Sequence, residues 1–217
     1  MTKVAIGAGH PVIMGVIRLS CSSIAGVEIV GEASSTTDVV ELCRTQSPDL
    51  LVLELDLEDG DGLDALRTLY GEGVELPVLA LSDRTDGAAV LDAMRVGVRG
   101  YLGKTHELRD IADAIRRVAS GEKVIAPGLE RAAMVALGRL ARRAREGSEM
   151  SARLSPRERE ILLLMSDGLT MRQVARRLSI SQRTVETHVA KLYRKLGVRT
   201  RMQAIARASS LGLIDLR

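Results

Sequence analysis

At 217 residues the chain exceeds the common size of one domain, and with no Phe or Trp its cores must be built from Leu, Val, Ile, Ala and Met, so two modest domains fit better than one. The formal net charge of +3 hides a split: residues 1–130 carry 12 Lys and Arg against 21 Asp and Glu, a net of −9, and residues 131–217 carry 19 against 7, a net of +12. No run reaches the roughly 18 apolar residues needed to cross a bilayer, and the N-terminus lacks the basic-then-apolar order of a signal peptide, which speaks against a membrane partner and for a cytoplasmic protein.

The first 125 residues alternate short apolar runs with helical patterns. Val4-Ala5-Ile6, Val27-Glu28-Ile29-Val30, Leu50-Leu51-Val52-Leu53, Val78-Leu79-Ala80-Leu81 and Tyr101-Leu102 are each followed by an amphipathic segment. Five such βα units predict an α/β domain with a doubly wound, five-stranded parallel sheet covered on both faces, whose ligands or chemistry lie at the strands' C-terminal ends. That rule singles out Gly7 to His10, Glu54 to Asp59, Ser82-Asp83 and Lys104. Asp56, Glu58, Asp59 and Asp61 crowd one loop, a pattern that solvated loops show more often than metal sites. Gly7-Ala8-Gly9 lacks the glycine spacing and the following Lys-Ser/Thr of a phosphate-cradling loop. No catalytic residue, metal or cofactor is assigned. Cys21 and Cys43 form no CxxC pair and read as reduced, small hydrophobes, a sensor thiol being the alternative. His106 and His188 stand without partners that would imply catalysis.

From about Gly128 to Ala152 the chain turns Ala- and Arg-rich, as in Arg139-Leu140-Ala141-Arg142-Arg143-Ala144-Arg145-Glu146-Gly147. Residues 126–152 are read as a helical linker ending in a flexible stretch, between a domain at 1–125 and one at 153–217. In the last domain Ser155-Pro156-Arg157-Glu158 carries a cap, a Pro at the first helical position and a capping box, and Thr170-Met171-Arg172-Gln173 repeats the signal. Met171, Val174, Ala175 and Leu178 follow helical spacing. Ser181 then caps a longer helix, Gln182 to Leu196, which puts Val185, Val189, Leu192 and Leu196 on one face and Arg183, Thr187, Ala190, Lys191 and Arg194 on the other. An amphipathic helix alone is usually just wet on its charged side. Two short capped helices joined by a tight turn, in a strongly basic segment, instead predict a helix-turn-helix that reads double-stranded DNA.

Residues 154–214 resemble the LuxR-type helix-turn-helix through Leu154-Ser155-Pro156-Arg157-Glu158-Arg159-Glu160, Gly168-Leu169-Thr170, Val174-Ala175, Leu178, Ile180-Ser181, Thr184-Val185-Glu186-Thr187-His188-Val189 and Lys195-Leu196-Gly197-Val198. The first 125 residues resemble the receiver domain of the NarL/FixJ class of response regulators through His10-Pro11, Gly31-Glu32-Ala33, Pro48-Asp49, Asp61-Gly62-Leu63, Ala65-Leu66 and Gly100-Tyr101-Leu102 with Lys104. The resemblance implies a bacterial transcription regulator, not an enzyme, that binds a two-part promoter or operator site as a dimer through its last helix, about Thr200 to Leu211. Met202, Ile205, Ala206 and Ser209 would form the dimer face. Homodimer and heterodimer with a related regulator both remain open. On the reading helix it implies phosphate contacts from Arg183 and Thr184, base-edge positions at Glu186, Thr187, Ala190 and Lys191, and further phosphate contacts from Arg172 and Arg194.

The resemblance breaks where the chemistry would be. The family holds Mg²⁺ with two adjacent acids after the first strand and phosphorylates an Asp at the end of the third, and here those places read Ala8, Gly9 and Glu54. Too few oxygen ligands remain for a hard cation, so phosphotransfer should be lost. Ser82, Tyr101 and Lys104 keep the family's hydroxyl, aromatic-switch and ammonium positions. Three readings stay open: Glu54 as a longer carboxylate that imitates part of a phosphorylated Asp against Lys104, Glu54 in an ordinary ion pair filling an abandoned pocket, or a receiver still phosphorylated on a nonstandard acceptor, Glu54 or Asp56. The small residues also leave room for a small-molecule ligand in place of phosphate. His10 is read as structural.

Overall fold

Runs of Val, Leu and Ile bounded by Gly, Pro, Asp and Ser form the strands of the first half, which the computed structural model describes within residues 1–215 of the chain. In order come β1 (Thr2–Gly7), α1 (Pro11–Ser22), β2 (Val27–Ala33), α2 (Thr36–Gln46), β3 (Leu50–Glu54), the short β4 (Asp56–Leu57) and β5 (Gly60–Asp61), α3 (Gly62–Gly71), β6 (Val78–Ser82), α4 (Gly87–Val96), β7 (Gly100–Gly103), α5 (Leu108–Ala119) and β8 (Val124–Ile125). The main sheet runs β2-β1-β3-β6-β7-β8 with every pair parallel. It is the expected doubly wound α/β sheet with six strands rather than five. The sixth, β8, sets Val124 against Gly100 and Ile125 against Tyr101. Two apolar residues just before Pro127, with no crossover helix after them, left too short a run to read as a strand.

Every residue of β3 and β6 is buried, as central parallel strands covered on both faces require. Leu51, Leu53, Leu79, Leu81 and Tyr101 fill the core with side chains from α1 to α5. Sheet order places β1 and β3 side by side, so the segments after them, Ala8 to His10 and Leu55 to Asp61, meet at one end of the sheet.

The chain divides into two compact units, one ending at Leu137 and the other starting at Gly138. The boundary falls inside α6 (Pro127–Arg153), which is helical throughout. The flexible ending expected before Leu154 is therefore helix. Ala, Leu, Arg and Glu dominate that stretch and propagate a helix through Gly138 and Gly147. Leu129 and Ala133 join the first core, and Leu154 joins the second.

Four helices complete the second unit: α7 (Pro156–Ser166), α8 (Met171–Arg177), α9 (Gln182–Leu196) and α10 (Arg201–Ser210). Complete capping boxes start α7, α8 and α10, and Ser181 caps α9 through the Thr184 N–H. Val174, Val185, Val189, Leu192, Leu196, Ala204 and Ala208 form the core with Ile161, Leu162 and Met165. Leu216 and Arg217, the end of the expected domain, lie outside the described residues. Among the described residues, no helix is long and apolar enough to cross a membrane.

Candidate functional site

At the C-terminal end of the sheet Glu54 closes β3 with its carboxylate buried, 1% exposed. One oxygen, Oε1, lies 2.6 Å from Lys104 Nζ, and the other accepts the His10 N–H at 3.1 Å. Lys104 follows β7 and also meets Asp56 at 3.0 Å and Asp83 at 3.2 Å. Partial burial opposes the ammonium charge, yet hydrogen bonds to Glu54, Asp56 and Asp83 outweigh it and raise the Lys104 pKa above the ordinary lysine value. Three carboxylates thus converge on one ammonium. Sequence reading placed Glu54, Ser82, Tyr101 and Lys104 at this end, and the structure brings them there. It did not foresee that Asp56 and Asp83 meet Lys104, which spacing alone does not signal.

Ser82 is fully buried, and its Oγ accepts the Arg84 N–H at 3.1 Å. Tyr101 is also fully buried, and its hydroxyl donates to the Arg84 carbonyl at 2.6 Å. Burial, the largest influence, raises the phenol above its usual pKa. Arg84 pairs in turn with Asp61 at 3.1 Å. His10 caps α1, its Nδ1 accepting from the Val12 N–H, in keeping with a structural role.

The residues present do not fit the divalent cation of such receivers. Ala8, 2% exposed, and Gly9 supply no side-chain oxygen, and a Cβ at Gly9 would lie 2.7 Å from the Asp56 carbonyl oxygen and 2.9 Å from Glu58 N. Backbone takes the space next to the small residues.

The second candidate site is the outer face of α8 and α9. Arg172, Arg183, Thr184, Glu186, Thr187, Ala190, Lys191 and Arg194 are all exposed, while Val185, Val189, Leu192 and Leu196 fix the opposite face in the core. Their neighbours tune several of them. Gln182 donates to Glu186 at 2.9 Å, Thr184 shares a hydrogen bond with Ser181 Oγ, and Thr187 donates to the Arg183 carbonyl. Glu158, expected only to close the first capping box, also accepts from Lys195 Nζ at 2.6 Å and is 2% exposed. Burial opposes its ionisation, but Lys195 and the Ser155 N–H prevail and hold the carboxyl below the usual glutamate range. This bond ties the start of α7 to the end of α9 and so orients the reading helix. No local spacing signals a pair 37 residues apart.

Comparison with known proteins agrees with both halves. The pattern of the response regulator receiver domain fits residues 5–116, and that of the bacterial regulatory proteins of the luxR family fits residues 152–208. The response regulator protein VraR of Staphylococcus aureus (strain Mu3 / ATCC 700698) is 32% identical over 213 residues, covering 98% of this chain and 99% of VraR. The crystal structure of ChrA, the response regulator of a heme-sensing two-component system, is 32% identical, covers 98% of each chain and superposes with a TM-score of 0.53. A structure of the response regulator RcsB in complex with DNA is 23% identical, covers 96% of this chain and 98% of RcsB, and gives a TM-score of 0.56, which shows a shared fold. A parallel sheet with Lys104 at its carboxylate-bearing end, a capped helix-turn-helix later in the chain, and relatives matched over nearly their whole length converge on one assignment: the chain belongs to the response regulators of the LuxR family, with a receiver domain followed by a LuxR-type DNA-binding domain.

Proposed function

We propose that this chain is a sequence-specific, DNA-binding transcription regulator of the bacterial cytoplasm, and not an enzyme, whose receiver works without phosphorylation. The observation that carries the reading is the Glu54–Lys104 contact: both carboxylate oxygens are already engaged, one by an ammonium and one by a backbone N–H, with no side-chain oxygen at positions 8 and 9 to hold a cation. A buried, charge-assisted contact of this kind holds the strand ends in one arrangement, as a bound phosphoryl group does in a switched receiver. Residues 1–125 then serve dimerisation or the sensing of a ligand or partner, 126–152 connect, and 153–217 bind the operator.

The reading helix supports the DNA half. Arg172, Arg183, Thr184 and Arg194 suit phosphates, and Glu186, Thr187, Ala190 and Lys191 suit base edges. Dimerisation through α10 is supported by Met202, which is 74% exposed, and the exposed Ala206, with Ile205 and Ser209 half-buried beside them and Ala204 and Ala208 buried in the core. The test is sedimentation and operator titration at defined salt on untreated protein and on Glu54→Gln. A dimer that binds specifically untreated, with both properties weakened in Glu54→Gln, supports the reading. Unchanged dimerisation and affinity in the variant would reduce Glu54–Lys104 to an ordinary ion pair.

A further inference from the structure

The hairpin after β3 crosses Gly9. Its two strands pair Asp56 with Asp61 and Leu57 with Gly60, and its backbone lies so close that a Cβ on Gly9 would meet Asp56 O at 2.7 Å, Leu57 C at 2.9 Å and Glu58 N at 2.9 Å. All three are backbone atoms. No rotamer change relieves such a contact, so the chain itself would have to move. The hairpin is also fastened on both sides. On one, Glu58 N–H donates to the Ser34 carbonyl at 3.1 Å, and the Asp59 carboxylate accepts from Thr36 N–H at 2.6 Å and from Thr36 Oγ1 at 2.7 Å. On the other, Asp61 pairs with Arg84, whose carbonyl receives the Tyr101 hydroxyl. Beneath it Lys104 supplies the positive charge that faces Glu54, Asp56 and Asp83.

We propose that the β4–β5 hairpin is a strap that has taken over the seat of the divalent cation, so that this receiver is held closed by its own backbone and by Lys104 and is indifferent to Mg²⁺. An acid at position 9 and the strap exclude each other. Loss of the metal is then built into the packing of the loop as well as into the missing ligands, and restoring the acids one by one cannot bring the cation back. The inference deepens the phosphorylation-independent reading and rests on its premise that Glu54 faces an ammonium.

The experiment compares two glycine-to-alanine changes in the full chain. Gly9→Ala should lower the thermal midpoint by about 5 °C or more, as overpacking against fixed backbone does. Gly15→Ala, whose Cβ meets nothing within 4 Å, should leave it unchanged or raise it. Asp59→Asn loosens one fastening and should reduce the cost of Gly9→Ala in the double variant. Should Gly9→Ala fail to fold, titration of the unaltered protein with Mn²⁺ alone decides: no saturable binding supports the strap. A Gly9→Ala protein as stable as the parent, or saturable Mn²⁺ binding that Lys104→Ala strengthens, overturns it. Intact mass after acetyl phosphate and Mg²⁺ tests the other premise separately. A phosphorylated chain would end the phosphorylation-independent reading, whatever the cost of Gly9→Ala.

Discussion

Changing Glu158 to Gln tests whether the reading helix is held by one buried charge. The substitution keeps the shape but leaves Lys195 Nζ and the Ser155 N–H competing for a single neutral oxygen in place of a carboxylate. Breaking a fully buried pair costs about 3–5 kcal/mol. Lys195 is 34% exposed and keeps the Arg153 carbonyl at 2.9 Å, so its charge is partly resolvated and the cost falls to about 2 kcal/mol. That corresponds to roughly 30-fold faster exchange of α9 amides whenever exchange follows opening of the second unit. Hydrogen exchange of the full chain, parent and variant at the same pH, measures it. The pH dependence has a definite sign. Because the folded carboxyl titrates below its unfolded value, its stabilisation is complete above the unfolded pKa of about 4.3 and disappears as pH falls through the folded pKa. The parent's advantage should therefore be full at neutral pH and shrink in acid. Equal exchange at neutral pH, or a difference that persists undiminished in strong acid, would refute the reasoning.

Lys191→Ala should weaken operator binding, and if Lys191 meets phosphate alone the loss will be uniform across sequences with a salt slope smaller by about 0.9; a loss confined to one base position would instead place it at a base edge. Gly147→Val should lower the melting point of the second unit, since even a Cβ at Gly147 would sit 2.1 Å from the Leu211 carbonyl oxygen, whereas Gly138→Ala, with nothing within 4 Å, should not. Burial pushes the Cys21 and Cys43 thiols up to about 11. A thiol reagent at mildly alkaline pH should leave both untouched in the native protein and label both after unfolding, and rapid native labelling would favour a sensor thiol.

What was legible in the sequence is what local chemistry encodes. The caps at Ser155, Thr170 and Ser181, the apolar spacing of Val185, Val189, Leu192 and Leu196, and the five parallel strands read from apolar runs all depend on residues within a turn or two of one another. Tyr101 and Lys104 were placed correctly because a parallel sheet gathers strand ends whatever the loops do. The unread features are those set by distance in space. Asp56 and Asp83 reach Lys104 from separate loops, Glu158 meets Lys195 across two helices, and the hairpin rests on Gly9 through backbone atoms that carry no sequence signature. The flexible ending predicted for the linker failed for a different reason. Glycine lowers helix propensity at 138 and 147, yet at Gly147 the absent side chain lets α6 approach the Leu211 carbonyl.

The capping boxes bear on how the chain reaches its native state during synthesis. Helices α7 to α10 each carry their own start signal and find their partners within one short stretch of chain, so this half can form quickly. The first unit cannot. Its opening strand lies between β2 and β3, and the Val4–Leu50 pairing waits until nearly fifty residues have left the ribosome. The acidic half therefore emerges first and sets its sheet slowly, while the basic half condenses soon after it appears, leaving only a short interval in which the two oppositely charged segments are unfolded together.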